Sequence, residues 1–103
     1  VCDGGQNQLW EFVPVTANSY NVINMYTGEC LEDHGYESGN GATVDQWTCG
    51  AGSNMDWTFS SSNPGWITNA NGLVLEVRGS STANGASVDL WTNNGSATQQ
   101  WDL

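Results

Sequence analysis

The chain repeats itself at a spacing of 44 residues. Gly28-Glu29-Cys30-Leu31-Glu32, then Gly41-Ala42-Thr43-Val44-Asp45-Gln46-Trp47, then Asn54-Met55-Asp56-Trp57, form the first full copy. They return as Gly72-Leu73-Val74-Leu75-Glu76, Gly85-Ala86-Ser87-Val88-Asp89-Leu90-Trp91 and Thr98-Gln99-Gln100-Trp101. A partial copy opens the sequence, with Cys2 and then Asn7-Gln8-Leu9-Trp10-Glu11-Phe12. A period of roughly 20–50 residues marks one supersecondary unit used repeatedly around a shared core. A binding site built by one unit can therefore recur in the next. The phase of the repeat places the first residues near the end of a unit.

Within each unit, short β-rich runs alternate with clusters of Gly, Asn, Ser and Asp, and no long helical periodicity intervenes. This predicts an all-β chain. Strands are expected near Leu9–Val13, Tyr20–Met25, Cys30–Asp33, Thr43–Thr48, Asp56–Ser60, Trp66–Asn69, Leu73–Val77, Ser87–Thr92 and Gln99–Leu103. Each full copy then carries four strands and the opening remnant one. Residues 1–19 read as the remnant of a first unit with its connection, 20–63 as a second unit and 64–103 as a third.

A length of 103 residues fits one domain. Charged residues make up 12%, well below the usual ~25%, so the polar surface is built from neutral amides and hydroxyls. Such groups suit hydrogen bonding to neutral ligands. The net charge is −10 and Arg78 is the one strong cation, which excludes the Lys/Arg clusters that nucleic acid and anionic membranes require. Six Trp, three Tyr and two Phe supply burial that disordered chains lack. No apolar run approaches the ~20 residues of a membrane span.

Of the three cysteines, Cys30 and Cys49 flank one strand-turn-strand stretch of a single repeat. A disulfide between them is expected, closing a loop of about 20 residues and stabilising by about 3 kcal/mol. Cys2 precedes Trp10 by the same eight positions that separate Cys49 from Trp57. Its partner would lie upstream; a free thiol or an intermolecular bridge is the other reading. Disulfides and the Asn94-Gly95-Ser96 sequon point to a secreted, extracellular protein. The absence of a signal peptide reads as a mature product or a fragment.

These motifs resemble the ricin B-type lectins, also classed among carbohydrate-binding modules. That family's repeat runs Cys-Leu-Asp-Val, a Gly-rich turn, Val-Gln-Leu-Trp-x-Cys, then Asn-Gln-x-Trp. The counterparts are Cys30-Leu31-Glu32-Asp33, Val44-Asp45-Gln46-Trp47-Thr48-Cys49 and Asn54-Met55-Asp56-Trp57, followed 44 residues on by Val74-Leu75-Glu76-Val77, Val88-Asp89-Leu90-Trp91-Thr92-Asn93 and Thr98-Gln99-Gln100-Trp101. The resemblance implies a β-trefoil of three four-strand units, the first represented here by its last strand alone. It implies a missing N-terminal segment, or a neighbouring catalytic domain of a parent protein, as a partner.

By the same resemblance, the sugar-binding candidates are Glu32, Asp45, Trp47 and Asn54 in the second unit, and Glu76, Asp89, Trp91 and Gln99 in the third. Asn7 and Gln8 are what the remnant retains. The chain departs from the family at several of these: Glu stands for Asp at 32 and 76, Asp for Gln at 45 and 89, Met55 for Gln and Thr98 for Asn. Independently of the family, strand alternation puts Val44 and Gln46 on one face and Asp45 and Trp47 on the other, and likewise for Val88–Trp91. An outward Asp–Trp pair suits a sugar, whose C–H face lies on the indole while the carboxylate accepts hydroxyl hydrogen bonds. Trp10, Trp57 and Trp101 are expected in the core.

His34 and Tyr36 follow Glu32 in a turn and could border a sugar. With a single His, no zinc site is expected, nor any other metal or cofactor. Glu29, Glu32, Asp33 and Glu37 read as a solvated acidic face. Arg78 is expected to pair with Glu76 on the same strand face. The function implied is non-catalytic carbohydrate binding, to galactose-type sugars or a plant polysaccharide such as xylan, by a lectin or the C-terminal module of a secreted glycoside hydrolase. The alternative is a structural or protein-interaction trefoil whose sugar sites have decayed. No nucleophile motif supports catalysis by the module itself.

Overall fold

A computed structural model describes residues 2–36, 38–62 and 64–102, with the backbone alone of Tyr36. The expectations placed on Glu37 and Leu103, and on the Tyr36 side chain, lie outside the described residues.

Among the described residues eight strands form: β1 (Trp10–Pro14), β2 (Tyr20–Asn24), β3 (Cys30–Asp33), β4 (Ala42–Trp47), β5 (Thr58–Phe59), β6 (Ile67–Thr68), β7 (Val74–Val77) and β8 (Val88–Trp91). They make one curled antiparallel sheet in the order β1-β2-β3-β4-β8-β7-β6-β5. Among the described residues no helix is long and apolar enough to cross a membrane.

The repeat becomes two matched hairpins. In the first, Cys30 faces Trp47 and Glu32 faces Asp45. In the second, Val74 faces Trp91 and Glu76 faces Asp89. The hairpins join through β4 and β8, where Ala42 pairs with Leu90 and Thr43 with Asp89. The Cys30–Cys49 disulfide forms as expected, closing the end of the first hairpin beside Trp47. Cys2 is an exposed free thiol.

The strands at Trp57 and Trp101 come out shorter than the sequence suggests, whereas that at Trp10 keeps its five residues. Short 3₁₀ turns at Gln6–Gln8, Ser53–Met55 and Ala97–Gln99 end two residues ahead of Trp10, Trp57 and Trp101. Of the residues in these turns only Gln99 was expected to extend. Of the predicted ninth strand only one bridge remains, between Gly65 and Trp101. Gly65 is required there: a Cβ would collide with the Ser60 side chain and the Ser62 carbonyl.

Val22, Ala42, Trp57, Ile67, Leu73, Leu75 and Leu90 form the core, with Leu31, Val44, Phe59, Val88 and Trp101 packed around it. Trp57 is fully buried, and its Nε1–H donates to the Leu31 carbonyl at 3.0 Å. Trp101 repeats that bond to Leu75, also at 3.0 Å. Trp10 does not follow them. It is 40% exposed, because β1 is an end strand paired only with β2. Its ring stands at an open apolar hollow of about 310 Å³, shared with Phe12, Val22, Leu31, Ile67, Leu75, Val88 and Trp101.

Candidate functional site

Each hairpin carries a carboxylate pair set across its two strands, followed by a turn that adds a nitrogen-bearing side chain, His34 or Arg78. At the first, Glu32 and Asp45 are cross-strand neighbours, and β3 runs directly into the turn His34–Tyr36. At the second, Glu76 and Asp89 are neighbours, and β7 runs into the turn Arg78–Ser80. The central residues Gly35 and Gly79 adopt φ of 65° and 64°, a left-handed conformation that glycine takes without penalty. The same turn therefore presents His34 and Arg78 in the same way.

In the first hairpin, His34 Nδ1 lies 2.8 Å from Asp45 Oδ2 and 3.9 Å from Glu32 Oε1. Asn54 Nδ2 donates to Glu32 Oε2 at 2.9 Å. Glu32 is only 7% exposed. Burial pushes its carboxyl above the usual carboxylate range, and the nearby Asp45 adds to this, while His34 and Asn54 pull the other way. Trp47, at the end of β4, is 58% exposed. The structure thus brings Glu32, Asp45 and Asn54 together with His34, and leaves the Trp47 ring open to solvent.

In the second hairpin, Arg78 Nε donates to Asp89 Oδ2 at 3.2 Å, and its terminal amine donates to the Gly41 carbonyl at 3.3 Å. The expected Arg78–Glu76 pair is replaced by this one, because β7 ends at Val77 and strand alternation no longer governs residue 78. Asp89 is 3% exposed. At both hairpins the second Asp oxygen, Oδ1 of Asp45 and of Asp89, is buried without a hydrogen-bond partner among the described residues. An open groove of about 570 Å³ lies over this hairpin, lined by Glu76, Asp89 and Trp91 together with Gly41, Arg78, Gly79, Ser80, Asn94, Ser96 and Thr98. Gly41 belongs to the preceding hairpin, so the groove is shared between neighbouring repeats.

Gln99 is 2% exposed, and its amide is fully committed. Its Oε1 accepts from the Asn94 backbone N–H at 3.0 Å, while Nε2 donates to Glu76 Oε1 at 3.2 Å and to the Thr92 carbonyl at 3.0 Å. It holds Glu76 in place instead of facing the groove. The same backbone clamp, reaching back five residues, recurs as Asp3 N–H to Gln8 Oε1 at 2.7 Å and as Gly50 N–H to Met55 Sδ at 3.3 Å. Met55 therefore keeps the clamp but cannot donate to a carboxylate, and Asn54 does so for Glu32. Asn7 is exposed, and its carbonyl accepts from Asn24 Nδ2 at 3.0 Å.

The acidic face expected around Glu29 is not solvated as a whole. Glu32 and Asp33 are buried, and Asp33 Oδ2 accepts from Asn69 at 3.2 Å. Sequence reasoning missed the equivalence of His34 and Arg78 as site residues, which the 44-residue offset does reveal. It also missed the hydroxyls of Ser80, Ser96 and Thr98. Asn94 of the sequon is exposed on the groove rim, with its Oδ1 accepting from Ser96 N–H at 2.9 Å.

Residues 1–101 match the ricin-type β-trefoil lectin domain. The designed threefold-symmetric protein ThreeFoil superposes with a TM-score of 0.93 at 27% identity, over 98% of this chain and 74% of that one. An exo-β-1,3-galactanase from Clostridium thermocellum superposes with a TM-score of 0.92 at 27% identity, over 98% of this chain but 23% of the enzyme. A Polyporus squamosus lectin, solved with Neu5Acα2-6Galβ1-4GlcNAc bound, gives 0.81 at 24% identity, over 93% of this chain and 35% of the lectin. The β-trefoil fold implied by the resemblance is thus the observed one. No curated protein matches the chain significantly.

Proposed function

We propose that this chain, which belongs to the ricin-type β-trefoil lectin domain family, binds carbohydrate without catalysing its turnover. The observation that carries this reading is the groove over the second hairpin, where Trp91, Asp89 and Glu76 meet three hydroxyl side chains in an open space of about 570 Å³. The exposed Trp91 ring offers an apolar face for the C–H side of a pyranose. Glu76 and the hydroxyls offer hydrogen bonds to its O–H groups, and charge-assisted bonds to a carboxylate are the stronger kind. Gln99 fixes Glu76 from below, so the acceptor is oriented before the ligand arrives. Arg78 Nε holds Asp89 Oδ2 at 3.2 Å, so this carboxyl is fixed beside the groove by a partner from the adjoining turn.

The first hairpin offers a second site with Trp47, Asp45 and Glu32. Galactose-type sugars are the first candidates, supported by the galactanase among the similar structures; a plant polysaccharide such as xylan is the next. In this reading the chain works outside the cell, where its disulfide is stable, as part of a lectin or as an appendage of a glycoside hydrolase. Two shallow sites on one rigid frame gain by avidity on a polymer bearing many copies of the same sugar.

Affinity electrophoresis of the chain through gels cast with galactan, xylan or a non-carbohydrate polymer tests the proposal. Retardation by one of the polysaccharides, relieved by its free sugar, is the expected result. Equal migration in all gels, together with silence on a broad glycan array, would count against it.

A further inference from the structure

We infer that Glu32, His34 and Asp45 form a binding site for one divalent transition-series cation of the zinc class. This goes against the sequence-based expectation of no metal site, which looked for a second histidine. The carboxylates supply what a second imidazole would have.

The geometry is close to that of a three-ligand centre. One ligand atom from each residue lies within 4.8 Å of the other two. His34 Nδ1 is 2.8 Å from Asp45 Oδ2 and 3.9 Å from Glu32 Oε1. Ligands bound tetrahedrally at ~2.0–2.1 Å stand about 3.3 Å from one another. Each of the two measured distances therefore needs to change by only about half an ångström, less than a rotamer change moves a side-chain tip.

The donor set is also the right one. An imidazole nitrogen with two carboxylate oxygens suits zinc and its neighbours in the transition series better than calcium or magnesium, which prefer oxygen alone. Glu32 is 7% exposed and turns Oε1 toward the cluster while Asn54 fixes its other oxygen at 2.9 Å. That amide bond orients the ligand from outside the coordination shell, as such partners do in metal sites. Half-exposed Asp45 and exposed His34 leave the outer side open to a water or a ligand hydroxyl.

The second hairpin shows what this position demands. There the cross-strand pair Glu76 and Asp89 is met by the permanent cation of Arg78. In the first hairpin the same turn supplies a histidine, which offers a lone pair to a metal ion. To ligate through Nδ1 the neutral ring carries its proton on Nε2, and the cation would then bridge the two carboxylates in place of a guanidinium.

The test is a Zn²⁺ titration of the chain in the absence of any sugar, so that it stands apart from the carbohydrate proposal. His34 is the one histidine in the sequence, and its ring proton resonances report on the site without ambiguity. The expected result is saturable binding of one equivalent by calorimetry, with the His34 resonances shifting in step. His34→Arg copies the second hairpin, so it should fold normally by circular dichroism and bind Zn²⁺ more weakly by over ~100-fold. Asp45→Asn should also weaken binding. Undisturbed His34 resonances under excess Zn²⁺, or an unchanged affinity in His34→Arg, would overturn the site.

Discussion

Arg78 holds Asp89 across the second hairpin, Nε to Oδ2 at 3.2 Å, with the Arg side chain 56% exposed and the Asp side chain 4% exposed. The pair joins the turn after β7 to β8. Through the Gly41 carbonyl, Arg78 also ties this hairpin to the preceding one. The exposed guanidinium is partly hydrated, whereas the carboxylate depends on it for compensation.

Removing the cation should therefore cost more than removing a surface side chain. Arg78→Ala leaves a buried carboxylate without its main partner, and about 1–3 kcal/mol of stability should be lost. Urea unfolding would measure this. Arg78→Lys should recover only part of the loss, since an ammonium cannot reach Asp89 and the Gly41 carbonyl with the same planar fork.

Trp57 and Trp91 separate the two uses of tryptophan. Trp57 is fully buried with its indole N–H bonded, and Trp91 is 39% exposed. Trp57→Ala should cost about 3–5 kcal/mol, enough to unfold a domain of ordinary stability. Trp91→Ala should change the unfolding midpoint little, since surface substitutions typically fall within ~0.5 kcal/mol.

Much of this was legible from the repeat. The 44-residue offset identifies both repeated strand-turn-strand stretches and the outward Trp47 and Trp91, because strand alternation is a local property, whereas the facing of Glu32 with Asp45 and of Glu76 with Asp89 is set by hairpin register. The buried position of Trp57 and the packing of half-buried Trp101 against the core follow from the same period. Trp10 was misjudged, since its burial depends on what packs across β1 and not on its motif. The partner of Arg78 was misjudged because residue 78 sits in a turn, where the two-residue alternation of β7 has ended. The inward role of Gln99 was hidden for a different reason: a side-chain amide linking two backbone groups and a carboxylate leaves no trace in hydrophobic pattern.

The Gln99 clamp can be tested through its natural counterpart. Gln99→Met should preserve the loop bond to Asn94 in the weak form that Met55 makes with Gly50, and lose the bond to Glu76. The expected cost is about 0.5–1.5 kcal/mol of stability, together with weaker ligand binding at the second hairpin and unchanged binding at the first. Thermal unfolding and a sugar titration read the two effects separately.

Reducing the Cys30–Cys49 bond, or replacing both residues by Ala, should lower stability by about 3 kcal/mol. Denaturant unfolding with and without a thiol reductant gives the difference directly. The exposed Cys2 should react with a thiol-labelling reagent in the native state, and the disulfide pair should not.

The central claim is that Trp47 and Trp91 each floor a sugar site on the same frame. Calorimetric titration of the wild-type chain, Trp47→Ala, Trp91→Ala and the double variant, with a galactose-type oligosaccharide, tests it most directly. The account predicts two sites in the wild type, one in each single variant and no measurable binding in the double variant, with all four chains folded. Undiminished binding by the folded double variant would contradict it.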